Sequence, residues 1–156
     1  MSRSGADLAL LLLGGFRLLV DSATAELADR GFEDFKPVHE FALRAIVAGA
    51  ESASELGRRT GVSKQAAAKT IAVLVDRGYV AIAPDPDDAR RKRLTVTPRG
   101  LDVMRQGEEI LASVRAQWEK QLGRTELATL EAYLTALVGD AAIRVESPGW
   151  VAADPS

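Results

Sequence analysis

Cationic side chains are concentrated in the middle of this sequence. Residues 54–105 hold 11 basic and six acidic side chains, whereas the segments before and after them are both net acidic. The densest cluster is a run of four consecutive cations, Arg90, Arg91, Lys92 and Arg93. Closely spaced cations suit a phosphate backbone, because they displace the counterions condensed on a polyanion. The charge pattern therefore predicts a polyanionic partner for the central segment, with an unevenly charged, solvated surface as the alternative.

A second basic surface is predicted on a helix that follows Ser63. Apolar residues recur there at helical spacing and define an inner face formed by Ala67, Ile71, Leu74 and Val75. The opposite face carries Lys64, Gln65, Ala68, Lys69 and Ala72. A slim helix of this kind fits the major groove of DNA, where glutamine contacts base edges and lysine reaches guanine or phosphate. An ordinary solvated helix face is the alternative interpretation.

Signals for helix ends frame this basic helix. Ser52 and Glu55 have the spacing of a capping box at the start of a short helix, which Gly61 closes. Ser63 is suited to cap the basic helix, and Gly78 stands where a left-handed residue is wanted after its end. The segment therefore predicts a helix, a tight turn and a second helix.

A β-hairpin is predicted directly after this helix pair. Tyr79–Ala83 has the composition of a strand, and Pro84–Asp88 interrupts it with turn residues. The chain then returns as a strand that alternates towards Thr97, with the four cations at its start. A basic hairpin beside a helix-turn-helix is the plan of a winged helix-turn-helix. In that plan the wing lies along the phosphates and one arginine enters the minor groove.

Long apolar helices are predicted on both sides of this lobe. A leucine-rich N-terminal helix ends at Gly31, and a second helix begins at Pro37. After the hairpin, Thr97 and Pro98 start a long helix, and Thr125 is suited to cap the last one. The apolar residues of these last two helices are Val103, Ile110, Leu111, Val114, Trp118, Leu122, Leu127, Leu130, Leu134, Leu137 and Ala141. A single lobe offers too little surface to cover them, so we predict a twofold homodimer, with an intramolecular core as the alternative.

Composition excludes several classes of site. The 156-residue chain has no cysteine and a single histidine, His39, which rules out thiol redox chemistry and argues against a multi-histidine metal site. The sequence contains neither a convergent nucleophile, base and acid nor a phosphate-binding glycine loop. We therefore predict a protein that is not an enzyme and needs no cofactor or metal. The uncharged run between Asp7 and Arg17 is too short to cross a bilayer, so we expect a cytoplasmic protein without a membrane partner.

The segment Ser54–Met104 resembles the MarR family of bacterial transcription regulators, because several short motifs occur in that family's order. They are Glu55-Leu56-Gly57, Gly61-Val62-Ser63-Lys64-Gln65-Ala66, Asp76-Arg77-Gly78-Tyr79-Val80, Asp85-Pro86, Asp88-Ala89-Arg90 and Val96-Thr97-Pro98-Arg99-Gly100. With the predicted elements, the resemblance implies a mostly α fold with a small β-hairpin wing. It comprises a winged helix-turn-helix lobe and a helical dimerisation region formed by the N- and C-terminal helices. The corresponding ranges are 1–36 for the N-terminal dimerisation helix, 37–100 for the lobe, 101–146 for the C-terminal dimerisation helices and 147–156 for a peripheral tail.

The resemblance also implies roles for residues of the wing. Arg90 corresponds to the wing-tip arginine that reaches the minor groove, and Asp88 to the carboxylate that orients the wing through an ion pair. Ala89 departs from the family, which commonly has arginine there, so Arg91 or Arg93 would have to supply that contact. Alanines at mid-helix leave few long side chains for base contacts, so DNA shape gains weight in specificity.

Together these patterns predict a sequence-specific DNA-binding regulator that acts as a repressor and binds a pseudo-palindromic operator as a homodimer. The predicted contacts with double-stranded DNA are Ser63, Lys64, Gln65, Lys69, Thr70, Arg90, Arg91, Lys92 and Arg93. The resemblance further implies a small aromatic or anionic effector in a crevice beside the dimerisation helices. Candidate lining residues, each of which could instead be plain core or interface, are Phe16, His39, Phe41 and Trp118. The alternative function is a winged-helix protein-interaction module that binds no operator.

Overall fold

The computed structural model of the chain describes residues 3–139. Within this part, six helices and one antiparallel hairpin form in the order α1 (Gly5–Asp29), α2 (Pro37–Val47), α3 (Ala53–Thr60), α4 (Lys64–Asp76), β1 (Val80–Pro84), β2 (Lys92–Val96), α5 (Pro98–Leu122) and α6 (Arg124–Val138). The predicted mostly α fold with a small hairpin is confirmed. The apolar position predicted at Ala141 and the predicted tail, residues 147–156, lie outside the described residues.

Short-range caps start three of these helices as predicted. The hydroxyls of Ser52, Ser63 and Thr97 each accept a hydrogen bond from the backbone N–H three residues later, at 3.1–3.2 Å. The second half of the predicted capping box differs, because the Glu55 carboxylate accepts from the N–H of Glu51, at 3.0 Å, rather than from that of Ser52. Glu51 is held nearby because its carbonyl accepts a hydrogen bond from the backbone of β2.

The end of α4 is closed by Gly78, as predicted. Gly78 has φ of +77°, its N–H donates to the Val75 carbonyl at 3.0 Å, and the Tyr79 N–H donates to the Leu74 carbonyl at 2.8 Å. This pair of bonds is a Schellman motif, which needs a left-handed residue. The prediction that the strand starts at Tyr79 is therefore wrong, since the N–H of Tyr79 belongs to the helix end.

The hairpin is short, and its two strands pair residue by residue without a bulge. Val80 faces Val96 at one end of the ladder and Pro84 faces Lys92 at the other. Pro84 was expected to break the strand, but it is the last paired residue. A two-stranded sheet tolerates proline there because a strand at an edge does not use every N–H group.

Helix α3 crosses the start of α4 at close range, and Gly57 permits this approach. A Cβ atom at residue 57 would lie 2.8 Å from the Val62 carbonyl oxygen and 3.3 Å from that of Ser63. Only glycine avoids this overlap without moving the backbone. The contact fixes the angle at which α4 leaves the turn.

The core of the lobe joins α2, α3, α4, the hairpin and α5. Its largest fully buried side chains are Leu43, Leu56, Leu74, Tyr79, Val103 and Ile110. Val75 was predicted on the inner face of α4, but it is 36% exposed. The stripe of α4 that packs inward is centred on Ala67, Ile71 and Leu74, and Val75 lies about 100° round the helix from Leu74.

The outer helices leave much apolar surface uncovered in a single chain. Val103, Ile110, Val114 and Leu127 of the predicted stripe are buried, whereas four leucines remain exposed: Leu111, Leu122, Leu130 and Leu137. Helix α6 begins at Arg124, directly after Gly123. The predicted Thr125 cap is wrong, because Thr125 already lies within the first helical turn.

Within the described residues, helix α1 is the one helix that is long and apolar over an extended stretch. By length and composition it could cross a membrane, with a mean hydropathy of 1.6 in an 18-residue window, none of which is buried within the chain. Its C-terminal end packs into the core through Leu27, which is 3% exposed. The apolar side chains in the N-terminal part of α1 are not covered by the described chain, so we expect this part to pack against another apolar surface.

Candidate nucleic-acid interface

Helix α4 presents the basic surface that the sequence predicts. We call this surface the basic face of α4 and define it as Lys64, Gln65, Ala68, Lys69 and Ala72, all of which are exposed. On the opposite side, Ala67, Ile71 and Leu74 are buried and fix the rotation of the helix. The core thus holds both lysines and Gln65 pointing away from the protein.

Two further predicted contact residues already have partners within α4. Ser63 Oγ accepts from the Ala66 N–H at 3.1 Å, and Thr70 Oγ1 donates to the Ala66 carbonyl at 3.2 Å. Ser63 keeps its hydroxyl proton and Thr70 keeps its lone pairs, so each can still make one kind of bond to a ligand. No residue of the described range 3–139 forms a hydrogen bond or ion pair with the side chains of Lys64, Gln65 or Lys69.

The wing cations divide into two groups. Arg90, Arg91 and Lys92 are exposed, and within residues 3–139 their side chains enter no ion pair. Arg93 instead places Nε 3.3 Å from Oε1 of Glu51, ahead of α3, and both side chains are 40% exposed. The first three cations are thus available to a polyanion, whereas Arg93 also ties the wing to the lobe.

Arg77 fixes the C-terminal end of α4 against the connection between α1 and α2. Its Nη1 donates to the Asp34 carbonyl at 2.8 Å and to the Glu33 carbonyl at 3.2 Å. Its Nη2 lies 3.2 Å from Oδ2 of Asp34, a non-glycine residue with φ of +51°. The sequence pattern does not predict this role of Arg77, although the residue lies in the motif Asp76-Arg77-Gly78-Tyr79-Val80.

Arg99, at the start of α5, reinforces the same junction. Its Nη2 donates to the Gly31 carbonyl and its Nε to the Arg77 carbonyl, both at 3.3 Å. Its guanidinium lies 4.9 Å from the ring centroid of Phe32 and 5.3 Å from that of Tyr79. We call Arg77 and Arg99 the arginine latch. It connects the end of α4 to the end of α1.

A sequence model of the MarR family matches residues 34–91, which include α2, the helix-turn-helix, β1 and the wing tip. Over this range the chain is similar to the MarR family. Members of this family are transcriptional regulators that bind DNA and act as dimers, and they are not enzymes. No curated protein matches the chain.

Solved structures extend the MarR-like fold over most of the chain. RV1404 from Mycobacterium tuberculosis is similar with a TM-score of 0.70 and 24% identity, over 88% of this chain and 94% of that one. The transcriptional regulator Tm0710 from Thermotoga maritima gives 0.62 and 23%, over 86% and 93%. The MepR F27L mutant of S. aureus, bound to an oligodeoxyribonucleotide, gives 0.59 and 14%, over 86% and 97%. At these identities the likeness establishes the fold.

The wing tip is held by hydrogen bonds between acidic side chains and the backbone. Asp88 Oδ1 accepts from the Arg90 N–H at 3.0 Å, and Asp85 Oδ1 accepts from the Asp87 N–H at 2.9 Å. Asp88 thus accepts a backbone bond, and within residues 3–139 it has no ion pair of the kind that the resemblance implied. This bond still orients the chain at Arg90.

A cleft of about 490 Å³ opens between α1, α2 and α5, where the MarR resemblance implies an effector crevice. We call it the α1–α2–α5 cleft. Of the predicted lining residues, Phe16 and Phe41 line it, whereas His39 and Trp118 do not. The further lining residues include Phe35, Leu111, Lys36, Glu40, Arg44 and Glu108.

His39 has a structural role in this lobe. The ring is 6% exposed, packs 5.7 Å from the Phe35 ring centroid, and accepts at Nδ1 a hydrogen bond from the Lys36 N–H at 3.0 Å. Burial, followed by the nearby Arg77 guanidinium, lowers the pKa of His39 from 6.5 to about 4. His39 is therefore neutral in the folded chain, and its ring holds the first turn of α2 through the hydrogen bond to Lys36.

Acidification is expected to destabilise the fold through His39. Because its pKa is lower in the folded chain, the stabilisation is complete above pH 6.5 and decreases as the pH falls towards 4, by about 2 kcal/mol at pH 5. Urea unfolding at pH 7 and pH 5 measures this loss. The variant His39→Gln keeps a hydrogen-bond acceptor but cannot be protonated in this range. Its free energy of unfolding should therefore fall by about 2 kcal/mol less between pH 7 and pH 5 than that of the wild type. An unchanged pH dependence would contradict the assignment.

Proposed function

We propose that the protein is a transcriptional repressor that binds a specific DNA operator as a homodimer. The observation that carries this proposal is the pair of cationic surfaces, the basic face of α4 and the exposed wing cations, which one lobe presents. In the complex, Lys64, Gln65 and Lys69 contact base edges and phosphates in the major groove. Arg90 enters the adjacent minor groove, and Arg91 and Lys92 contact phosphates. The protein acts in the cytoplasm, where its DNA is.

The operator is a pseudo-palindrome read by two symmetry-related lobes. A twofold axis would place the two α4 helices in successive major grooves, about 34–36 Å apart. A dimer spanning both half-sites blocks polymerase at the promoter. The oligodeoxyribonucleotide complex of the MepR mutant, which shares this fold, supports such a use of the lobe.

Selection of bound genomic fragments, followed by a salt titration on the recovered site, tests this proposal. We expect a shared two-part motif and an affinity that falls steeply with salt concentration, because phosphate contacts release counterions. Absent or salt-insensitive binding would contradict the proposal and favour the protein-interaction module.

Arg90→Ala is expected to weaken operator binding by about 1–3 kcal/mol, the usual loss for one specific contact. A gel-shift titration at fixed salt concentration measures the change. Arg105→Ala is the matched control, because Arg105 is an exposed arginine on α5 that pairs with Asp102 and Glu109. Equal affinities of the Arg90 and Arg105 variants would contradict a role of Arg90 in the minor groove.

We further propose that a small molecule in the α1–α2–α5 cleft regulates DNA binding. The cleft touches α1 and the start of α2, and the arginine latch joins their connection to the end of α4. A ligand that changes the position of α1 against α2 therefore moves α4 as well. It releases DNA only if it binds the non-DNA-binding arrangement more tightly.

A further inference from the structure

The ion pair between Arg93 and Glu51 places a carboxylate within the basic surface of the wing. Arg93 is the last of four consecutive cations, and the side chains of the other three enter no ion pair within residues 3–139. Arg93 Nε lies 3.3 Å from Oε1 of Glu51, and both side chains are 40% exposed. An exposed pair of this kind is weak, so another anion can compete for the guanidinium.

The backbone of Glu51 is held independently of its carboxylate. Its N–H donates to Oε2 of Glu55 at 3.0 Å, and its carbonyl accepts from the Leu94 N–H at 3.2 Å. The second bond joins Glu51 to β2, whose Leu94 side chain is buried in the core. The hairpin therefore stays attached to the lobe without the ion pair, and an exposed pair adds little to that attachment.

Arg93 lies close to the part of the wing that is proposed to contact DNA. Three residues separate it from Arg90, a distance of no more than about 11 Å along the chain. Because successive side chains of a strand point to opposite faces, Arg93 lies on the face of the hairpin opposite to the buried Leu94. A phosphate beside the minor groove and the Glu51 carboxylate can thus compete for one guanidinium.

We propose that Glu51 limits the affinity for DNA by competing with the phosphate backbone for Arg93. The proposal rests on the proposed function, since it requires that the wing binds DNA. When Arg93 moves to a phosphate, the new contact is offset by the loss of the pair with Glu51. Glu51 is therefore a positioning residue for Arg93, and it makes no contact with DNA itself. Phosphate contacts carry no sequence information, so the effect applies to operator and to random DNA alike.

Glu51→Gln in the full chain tests this proposal, because glutamine leaves both backbone bonds in place and removes the negative charge. We expect about threefold to tenfold tighter binding to the recovered operator at low salt concentration. The reason is that each of the two lobes of a dimer loses a competitor with the strength of one exposed ion pair. Loss of a purely structural contact would weaken binding instead. Anisotropy of labelled DNA measures the affinity, and thermal unfolding checks that the fold is unchanged.

The same substitution in an Arg93→Gln background separates competition from simple repulsion. If Glu51 acts through Arg93, its replacement has no effect on DNA affinity once Arg93 is absent, whereas repulsion between Glu51 and phosphates persists. Glu119→Gln is the matched control, because it removes a carboxylate that pairs with Arg115 near the other end of α5. The control should bind DNA as the wild type does.

Unchanged or weaker DNA binding by Glu51→Gln would overturn the proposal, and so would a gain that persists in the Arg93→Gln background or that Glu119→Gln shares. A wild-type chain that binds no DNA would contradict the proposed function instead. Retention on immobilised heparin, a polyanion, then still measures the competition. There we expect Glu51→Gln to elute at a higher salt concentration than Glu119→Gln, and equal elution of the two variants would also overturn the role of Glu51.

Discussion

Replacing Lys64 and Lys69 together by glutamate is expected to weaken operator binding by about a thousandfold or more. Both side chains are exposed on the basic face of α4, and the buried stripe beneath them prevents the helix from rotating them away. A dimer carries four of these positions. At about 1–3 kcal/mol for each lost contact, the minimum loss is about 4 kcal/mol, which corresponds to a factor of about a thousand. Added repulsion from phosphate increases the loss.

Fluorescence anisotropy with labelled operator at fixed salt concentration measures this change. The matched control is Lys120→Glu with Arg124→Glu, which makes the same change in net charge at the far end of α5 and the start of α6. We expect near-normal DNA affinity for the control and wild-type thermal unfolding for both variants. Similar losses of affinity in the two variants would show that net charge, rather than the basic face of α4, governs binding.

Local contacts account for the parts of the fold that the sequence predicts well. The caps at Ser63 and Thr97 and the left-handed Gly78 depend on groups within a few residues along the chain. Ser63 and Gly78 define where α4 begins and ends, Thr97 defines where α5 begins, and helical periodicity defines the basic face of α4. The exposed wing cations are predicted equally well from the sequence, because nothing in the described chain covers Arg90 or Arg91.

Contacts between distant segments account for what the sequence does not predict. Arg77 binds the backbone of Asp34, 43 residues away, and Arg93 pairs with Glu51 across the hairpin and the helix pair. No spacing rule links such residues. His39 and Trp118 were expected in the effector crevice, but the packing of α1 and α2 on α5 leaves both outside the cleft lining. Side-chain type indicates chemistry, whereas position in a cleft depends on the packing of whole helices.

The leucines near the start of α1 form a run of exposed apolar side chains. Leu10, Leu11, Leu12 and Leu13 are all at least 41% exposed, and four consecutive helical residues surround most of the helix. A membrane and a second copy of the chain are the two apolar environments that suit such a helix. The part of α1 that is free of the core, from Gly5 to Leu19, is only about 22 Å long, shorter than a hydrocarbon core of about 30 Å. It also contains Arg17. A second copy therefore fits better.

Leu11→Glu with Leu18→Glu is expected to dissociate the proposed dimer. The two leucines lie seven residues apart on one side of α1, and they are 54% and 62% exposed in the single chain. If each leucine is buried in the dimer at about 1.5–3 kcal/mol, the four copies contribute about 6 kcal/mol or more. Their loss raises the dissociation constant of the dimer by about four orders of magnitude. Light scattering should then report the mass of one chain, 16.7 kDa, instead of twice that mass.

Ser22→Glu is the matched control, because it adds a carboxylate at an exposed polar position of the same helix. It should leave the dimer intact, so that a carboxylate on α1 is not by itself disruptive. A wild-type chain that scatters as a monomer, or that sediments with added phospholipid vesicles while the leucine variant stays in solution, would contradict the dimer and favour a membrane contact of α1. The leucine variant should bind less tightly to either partner of α1, a lipid surface or a second copy of the chain. The mass of the wild type separates the two, because only a twofold interface doubles it.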